Sequence, residues 1–377
     1  MLLKDKKIAI IGAGPTGLTM AILLQQKGIE VTVYERDKDE HTRIWGGPLD
    51  LDKGSGQEAL KEAGLLDRYY AKALPMGRTV ADKQGKVLFS KKPKDENRYD
   101  NPEINRNDLR KILLAGLTRD TVVWDRKLTG LEDNNGKWFL VFENEMNATA
   151  DFIIGADGGM SKARKFVTDA AIEYTGTFII QGDVNEPKMK CAEFWQLCND
   201  NILMTASNGT VLVANPRNGS VLSYGVTFEK PHEWVHKNGL DFKDGDSVVT
   251  FLSNRCADWH ECFKQLFRAT SFFVGLPTRK IALSKPWKSN RSLPITLIGD
   301  AAHIMPPFAG QGVNIGLMDA LILSDSLTNG KHKTTEDAIL HYEQKMIVYA
   351  TEAQLETSQN EIALRHPDFS FLKVTDS

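Results

Sequence analysis

The chain is poor in the features that mark secreted, membrane-bound or nucleic-acid-binding proteins. Cysteine is scarce: Cys191, Cys198, Cys256 and Cys262 are the only four in 377 residues, with no C-x-x-C pair among them. That pattern argues for reduced thiols and against a disulfide framework or a zinc ribbon. No run of five or more Lys/Arg occurs and the formal net charge is −2, so no nucleic-acid partner is expected. No apolar stretch reaches membrane-spanning length, and Met1–Lys7 is charged where a signal peptide would be apolar. A cytoplasmic protein with no membrane partner is therefore expected. With 41% hydrophobic and 25% charged residues, the composition is that of a globular chain. Its length suffices for two domains, or one large core with a satellite.

What is present is glycine at the ends of apolar strands. Ile8–Ile11 suits a strand buried on both faces, and Gly12, Gly14 and Gly17 follow at the G-x-G-x-x-G spacing, with Pro15 among them. A helical pattern runs to Gly28, and a second strand, Val31–Tyr34, carries Glu35 at its carboxyl end. In such a unit Gly12 serves the tight turn, Gly14 the close approach of a pyrophosphate, and Gly17 the packing of helix on strand. First-turn N–H groups and the helix dipole face the phosphates, and Glu35 can accept from a ribose diol. Strand, helix, second strand and acid all stand at the expected offsets, so a bound dinucleotide is expected.

Further along, Arg43–Asp50 reads as a loop, Gln57–Leu66 as a short amphipathic helix ending at Gly64, and Thr79–Phe89 as a hairpin around Gln84-Gly85. A helix opens near Arg106, with Asn107 the candidate N-cap. Thr121–Trp124, Trp138–Phe142 and Ala148–Ile154 read as three strands, with Asp133–Gly136 as the turn between the first two. The third strand runs into Gly155-Ala-Asp157-Gly158, a second glycine-rich turn. Phe178–Val184, Ile202–Thr205, Val211–Ala214 and Val221–Phe228 form a mainly antiparallel sheet, followed by helices at about 246–254 and 258–268. A strand from Ile295 ends in Gly299-Asp300, where Asp300 can accept from sugar-like hydroxyls. The loop Pro306–Asn314 then opens a helix to about Ser326. Thr335–Leu364 is a last helix of roughly 45 Å, its periodic face read as packing.

In order and spacing these elements resemble the FAD-dependent aromatic-hydroxylase-type monooxygenases over nearly the whole chain. The segments Tyr-Glu35-Arg36-Asp, Leu-Asp50-Leu, Asn-Pro-Glu-Ile-Asn-Arg106-Asn-Asp-Leu-Arg, Gly-Gly-Met-Ser-Lys and Gly299–Asn314 are similar to those of the tetracycline-inactivating monooxygenases. The resemblance implies an α/β fold: a Rossmann-like FAD-binding domain, an inserted antiparallel β-sheet substrate domain and a long C-terminal helix. It assigns 1–78, 104–175 and 272–330 to the FAD-binding domain and 79–103 and 176–271 to the substrate domain. Residues 335–364 form the bridging helix. It further implies non-covalent FAD, consistent with the absence of Cys in the glycine-dense opening and with His41 as its one nearby histidine. Glu35 would lie on the adenosine ribose, Arg36 near the adenine end, Arg106 near the ribityl-phosphate stretch and Asp300 on the ribityl chain. Gly47 and Asn314 would join the cofactor site, and Pro307, Gly310 and Gly312 would face the isoalloxazine. Asp157 belongs to a motif associated with FAD and with transient NADPH. No second complete G-x-G-x-x-G unit exists, which suits a visiting nicotinamide. NADPH and dioxygen would then hydroxylate a polycyclic phenol or enol through a flavin C4a-hydroperoxide, with no protein acid or base and no metal required.

The resemblance places Gln181, Asn215 and Phe308 at substrate-lining positions, with the Asn360 region nearby. It also places Ile202, Val213 and Ser223 where that family is expected to carry an Arg, a Phe and a His. A more apolar, roomier pocket follows. A tetracycline-like small molecule is still the expected substrate, with altered turnover, and the alternative is another aromatic or polyketide. A monomer is expected. Two other classes compete with this reading. His232-Glu233-Trp-Val-His236 fits the H-E-x-x-H zinc-hydrolase pattern, but Pro231 allows only a short helix that interrupts the sheet. A non-enzymatic flavin sensor would not need the polar-lined middle sheet.

Overall fold

A computed structural model describes residues 2–372. Ile8–Ile11 is buried along its whole length at the centre of a five-stranded parallel sheet. Across that sheet the order is Ile295–Leu297, Phe152–Gly155, Ile8–Ile11, Val31–Tyr34 and Val122–Val123. Strands apolar on both faces are what a parallel sheet covered on both sides requires. The helices Pro15–Gln26 and Gly312–Thr328 lie over it in close mutual contact: a Cβ on Gly316 would stand 2.6 Å from Thr16 Oγ1. A three-stranded antiparallel sheet, Leu128–Asn134, Lys137–Phe142 and Ala148–Ala150, adds Trp138, Leu140 and Phe142 to the same core.

The second sheet has seven strands, in the order Phe272–Ile281, Ile172–Asn185, Val221–Glu229, Thr210–Asn218, Ile202–Ser207, Arg78–Ala81 and Val87–Lys91. Period-two alternation sends Phe178, Ile180, Leu222, Tyr224, Val226 and Phe228 into one face. The helices Ala192–Cys198, Gly245–Arg255 and Glu261–Arg268 cover that face. All four cysteines are buried and unpaired there, and burial pushes the Cys191 thiol up to about 11. Among the described residues no helix is long and apolar enough to cross a membrane.

The fold class is as expected, but several local readings change. Ala148–Ile154 is two strands in two sheets, split at Asp151, whose amide and carboxylate both bond the backbone of Lys7. Leu128–Asn134 is a strand whose alternation is blurred by a register shift near Gly130. The turn at Asp133–Gly136 therefore closes that strand onto Lys137–Phe142, and Val122–Val123 pairs with Val31–Tyr34 instead. The helix that Gly64 ends, at φ +71°, is Gly56–Glu62 as read, and a second short helix, Leu66–Tyr70, follows it. The N-cap of the helix Arg106–Leu114 is Asn105, which accepts from Asn107 N–H at 2.9 Å. Phe272–Ile281 is a strand whose sequence signal Gly275 and Pro277 interrupt; a sheet edge tolerates the missing N–H of Pro277. That strand and residues 172–175, grouped above with the FAD-binding segments, are hydrogen-bonded into the seven-stranded sheet.

The last helix, Thr335–Arg365, touches both sheets. Ile339, Tyr342 and Met346 are buried in the first core, and Tyr342 donates to Leu297 O at 2.9 Å. At its far end Arg365 Nε donates to Thr177 Oγ1 at 2.8 Å and Nη2 to Thr175 O at 2.5 Å. The guanidinium passes over Gly176, whose φ is +101°.

Asp319 joins these parts. Fully buried, it accepts from Gly299 N–H at 2.6 Å, from the Tyr349 hydroxyl, and pairs with His303 Nε2 at 2.6 Å. Burial works to lower the pKa of His303, but the Asp319 charge and hydrogen bond outweigh it and hold the imidazole above its ordinary value. Removing one partner of such a pair leaves the other desolvated and unpaired, at a cost of about 3–5 kcal/mol. Asp319→Ala is therefore expected to lower the urea-unfolding midpoint sharply. An unchanged midpoint would show that the buried pair contributes nothing to the fold.

Candidate functional site

The glycine motifs converge because their backbones pack without intervening side chains. Gly12 has φ +106°, and a Cβ there would lie 2.4 Å from Ala156 O; one on Gly17 would lie 2.1 Å from Gly12 O. Gly14 differs. Its backbone is extended at the N-cap of the helix Pro15–Gln26, and a Cβ there would meet nothing within 4 Å. An open glycine face before free first-turn N–H groups fits a pyrophosphate. Glu35 is buried beside it, accepting from Ala13 N–H at 2.5 Å and Asp37 N–H at 3.0 Å. Arg36 is exposed at the strand end.

Arg164 fastens the second motif to the third. Its Nη1 donates to Gly159 O at 2.7 Å, its Nε to Ala301 O at 2.8 Å and its Nη2 to Asp300 O at 2.9 Å. The side chain of Asp300 stays exposed, and a Cβ on Gly312 would stand 3.9 Å from its Oδ1. Asp157 is held by Lys162 N–H at 2.7 Å, while its buried Oδ1 has no partner among the described residues. Burial raises its pKa despite the Ser161 and Lys162 hydrogen bonds. Arg106 is half-buried, donates to Gly47 O at 2.8 Å and feels the Asp300 charge; burial lowers its pKa. Pro307 and Gly310 are exposed and Gly312 half-buried. The Asn314 amide is engaged within the protein, with Asp50 O at 3.1 Å and Asp52 N–H at 2.8 Å, and so fixes the loop from behind. Hydroxyl acceptors at Glu35 and Asp300, a cation at Arg106 and the open face of Gly14 fit an extended dinucleotide such as FAD.

The face of the seven-stranded sheet opposite the helices carries the candidate substrate residues in two rows. Asp183, Ser223 and Asn215 are cross-strand neighbours, with Ile202 opposite Arg78 on the next strands. In the adjacent row Gln181 and Val213 flank Gly225, which leaves a gap between them. Ser223 Oγ donates to Asp183 Oδ1 at 2.6 Å and accepts from Asn218 at 2.7 Å. Phe308 stands on the loop expected to face the flavin ring, where Asn360 Nδ2 donates to its carbonyl at 3.1 Å.

The loop Arg43–Asp50, legible in the sequence as a loop, connects the two sides, a role the sequence does not show. Ile44 is bonded through both backbone groups to the Asn107 amide, and Gly46 O accepts from Asn218 Nδ2 at 3.0 Å. Arg43 pairs with Asp183 at 3.0 Å, and the Trp45 ring is sandwiched between Arg43, 3.8 Å away, and Phe272, 3.9 Å away. No sequence signal announces these contacts, because the partners lie more than sixty residues away. His232, Glu233 and His236 lie on a six-residue helix without a buried residue. Among the described residues no group of three His, Cys, Asp or Glu could hold a metal ion.

Two outcomes are expected. A carboxylate holding hydroxyls contributes about 1.5–3 kcal/mol, so Asp300→Ala should weaken FAD binding roughly ten- to a hundredfold in a folded protein. Unchanged FAD titration would remove Asp300 from the site. His232→Ala and Glu233→Ala should leave turnover intact; joint loss of turnover and of stoichiometric zinc would restore the hydrolase reading.

The family described as "FAD binding domain" matches residues 5–354. Monooxygenase penA of Penicillium thymicola is 29% identical over 370 residues, 85% of this chain and 84% of the relative. Kynurenine 3-monooxygenase of Neurospora crassa is 26% identical over 412 aligned positions, 99% of this chain and 76% of the relative. Among solved structures, HpxO of Klebsiella pneumoniae complexed with FAD and uric acid superposes with a TM-score of 0.79 at 21% identity. That match covers 99% of this chain and 92% of HpxO. Tetracycline destructase Tet(55) matches with the same TM-score of 0.79 at 21% identity, over 100% of this chain and 94% of that one. These structural likenesses establish the shared fold. With the match to residues 5–354 and the converging glycine motifs, the chain belongs to the FAD binding domain family.

Proposed function

We propose that this chain is an FAD-dependent, NADPH-driven monooxygenase that hydroxylates a polycyclic phenol or enol, with a tetracycline the favoured substrate. The observation that carries the reading is the single sheet face that holds Gln181, Ile202, Val213, Asn215 and Ser223, opposite the helix-covered face. Residues far apart in sequence share that face, and the loop Arg43–Asp50, whose Gly47 carbonyl accepts from Arg106, closes on it through Gly46. Relatives named as monooxygenases and a fold shared with tetracycline destructases, HpxO and 2,6-dihydroxypyridine-3-hydroxylase support the class.

When bound, FAD supplies hydride acceptance and dioxygen activation. The chain's own residues would bind and orient. Gly14 and the helix behind it would hold phosphates, Glu35 and Asp300 sugar-type hydroxyls, and Arg106 a phosphate-side charge. The substrate face would hold the ring system near the loop Pro307–Gly312 and keep water from it. Ile202 makes this face more apolar than an Arg would, and Val213 makes it roomier than a Phe would, which favours a broad ring system and leaves another aromatic polyketide as the alternative substrate.

The test follows the tetracycline chromophore and NADPH together. Bleaching that requires protein, NADPH and oxygen is expected. Absence of both bleaching and drug-stimulated NADPH oxidation at saturating drug would overturn the tetracycline assignment. Ile202→Arg, which restores a charge-assisted contact of about 1.5–3 kcal/mol, should lower the KM for tetracycline by tenfold or more on that scale.

A further inference from the structure

One carboxyl group outside the residues assigned so far stands between the flavin-side loop and the substrate face. Glu103 lies on a two-residue ribbon directly across from Asp50. The Asp50 carboxylate oxygens lie 3.8 and 3.9 Å from where a Cβ on Gly310 would stand, in the loop expected to face the flavin ring. From the sheet, Asn215 Nδ2 donates to Glu103 Oε2 at 3.3 Å. The backbone N–H and C=O of Glu103 are both bonded to Leu74, each at 2.8 Å, so the residue is held in place. Its Oε1 has no hydrogen-bond partner among the described residues. A carboxylate oxygen is thus left free beside a residue of the substrate row.

Resting on the reading above, that a phenol or enol lies on this face, we propose that Glu103 is the proton acceptor for the substrate's hydroxyl. In the step the substrate O–H bond breaks, its electron pair stays on the substrate oxygen, and the proton joins a Glu103 oxygen. The carboxylate becomes a carboxylic acid, the substrate becomes a phenolate or enolate, and no electrons are gained or lost. The oxyanion enriches the neighbouring ring carbons in electron density, which electrophilic oxygen transfer requires.

The surroundings suit that role. Burial, then the Asp50 charge, pushes Glu103 up to about 7, while Arg78 and the Asn215 hydrogen bond pull the other way. An acceptor with a pKa near the working pH is the most effective kind. Asp50 is itself raised by burial and by Asp52, so the two facing carboxyls titrate as a coupled pair. Tyr69, the remaining titratable group facing them, donates to Pro102 O and is pushed far above the neutral range, so it stays uncharged. Glu103 must be ionised to accept a proton. Activity therefore rises with pH through its pKa.

The experiment measures kcat/KM against pH for hydroxylated product. It uses whichever of tetracycline, urate and 2,6-dihydroxypyridine stimulates NADPH oxidation by the FAD-loaded wild type. An acid limb near 7 is expected. Glu103→Gln should retain FAD, lose product formation roughly a hundredfold and lose the limb. Asp50→Asn should move the limb to lower pH and Arg78→Ala to higher pH; these opposite shifts decide the matter if Glu103→Gln does not fold. A wild-type rate and limb in Glu103→Gln, or unmoved limbs in the other two variants, would overturn the assignment while leaving the monooxygenase reading intact. If no probe stimulates the wild type, the monooxygenase reading fails first and the role of Glu103 falls with it.

Discussion

Backbone from three distant parts of the chain meets at the carboxyl ends of the parallel strands with no room for a side chain between. Gly12 rests on Ala156, Gly17 on Gly12, and Gly299 against Thr16. A Cβ at Gly155 would lie 2.7 Å from Leu297. Glycine loses more conformational freedom on folding than any other residue, so such packing persists only where burial of the flanking Ile, Leu and Val offsets it. Arg164 then locks the second and third motifs together through three carbonyl oxygens. Positions with no packing role, the open Gly14 and the exposed Asp300, inherit their placement from this contact.

The seven-stranded sheet solves a different problem. One face is filled by helices and aromatic rings, as any half-buried sheet demands. The other is polar along one row, from Asp183 through Ser223 to Asn215, and mixed along the next, where Gln181 and Val213 flank Gly225. Register converts the first pattern into the second: a slip of one residue would carry Gln181 and Asn215 into the aromatic core. The long strand Ile172–Asn185, paired on both sides, resists that slip.

Much of this was legible in the residues. The first motif was legible because each of its glycines has a local reason to be there, and the strands from 178 to 228 because alternation and Asn-Gly turns are local signals. What was not legible depends on partners distant in sequence. Phe272–Ile281 reads as irregular until its place at a sheet edge excuses Pro277. Asn105 and Asn107 compete for the same cap, and only the contact of Asn107 with Ile44 decides between them. Arg78 carries no motif, and the segment around Arg106 that contains Glu103 gives no sign of where its carboxyl stands; a ribbon and a parallel strand pair bring the two residues to Asn215 and Ile202.

The order of strands also bears on how the molecule comes to exist. The central sheet interleaves residues 8–11 with residues 295–297, and the second sheet spans 78–281. Neither can close until most of the chain is available, and the helix tying both together is the last described one. Parallel and long-range pairings form slowly, because loop closure precedes any gain from contact. During synthesis, the apolar strand Ile8–Ile11 must wait for nearly three hundred further residues before its sheet is complete, exposed meanwhile to misassociation. A fold organised around its first strand is thus completed by its last third, and its yield in a cell depends on what shelters that strand in the interval.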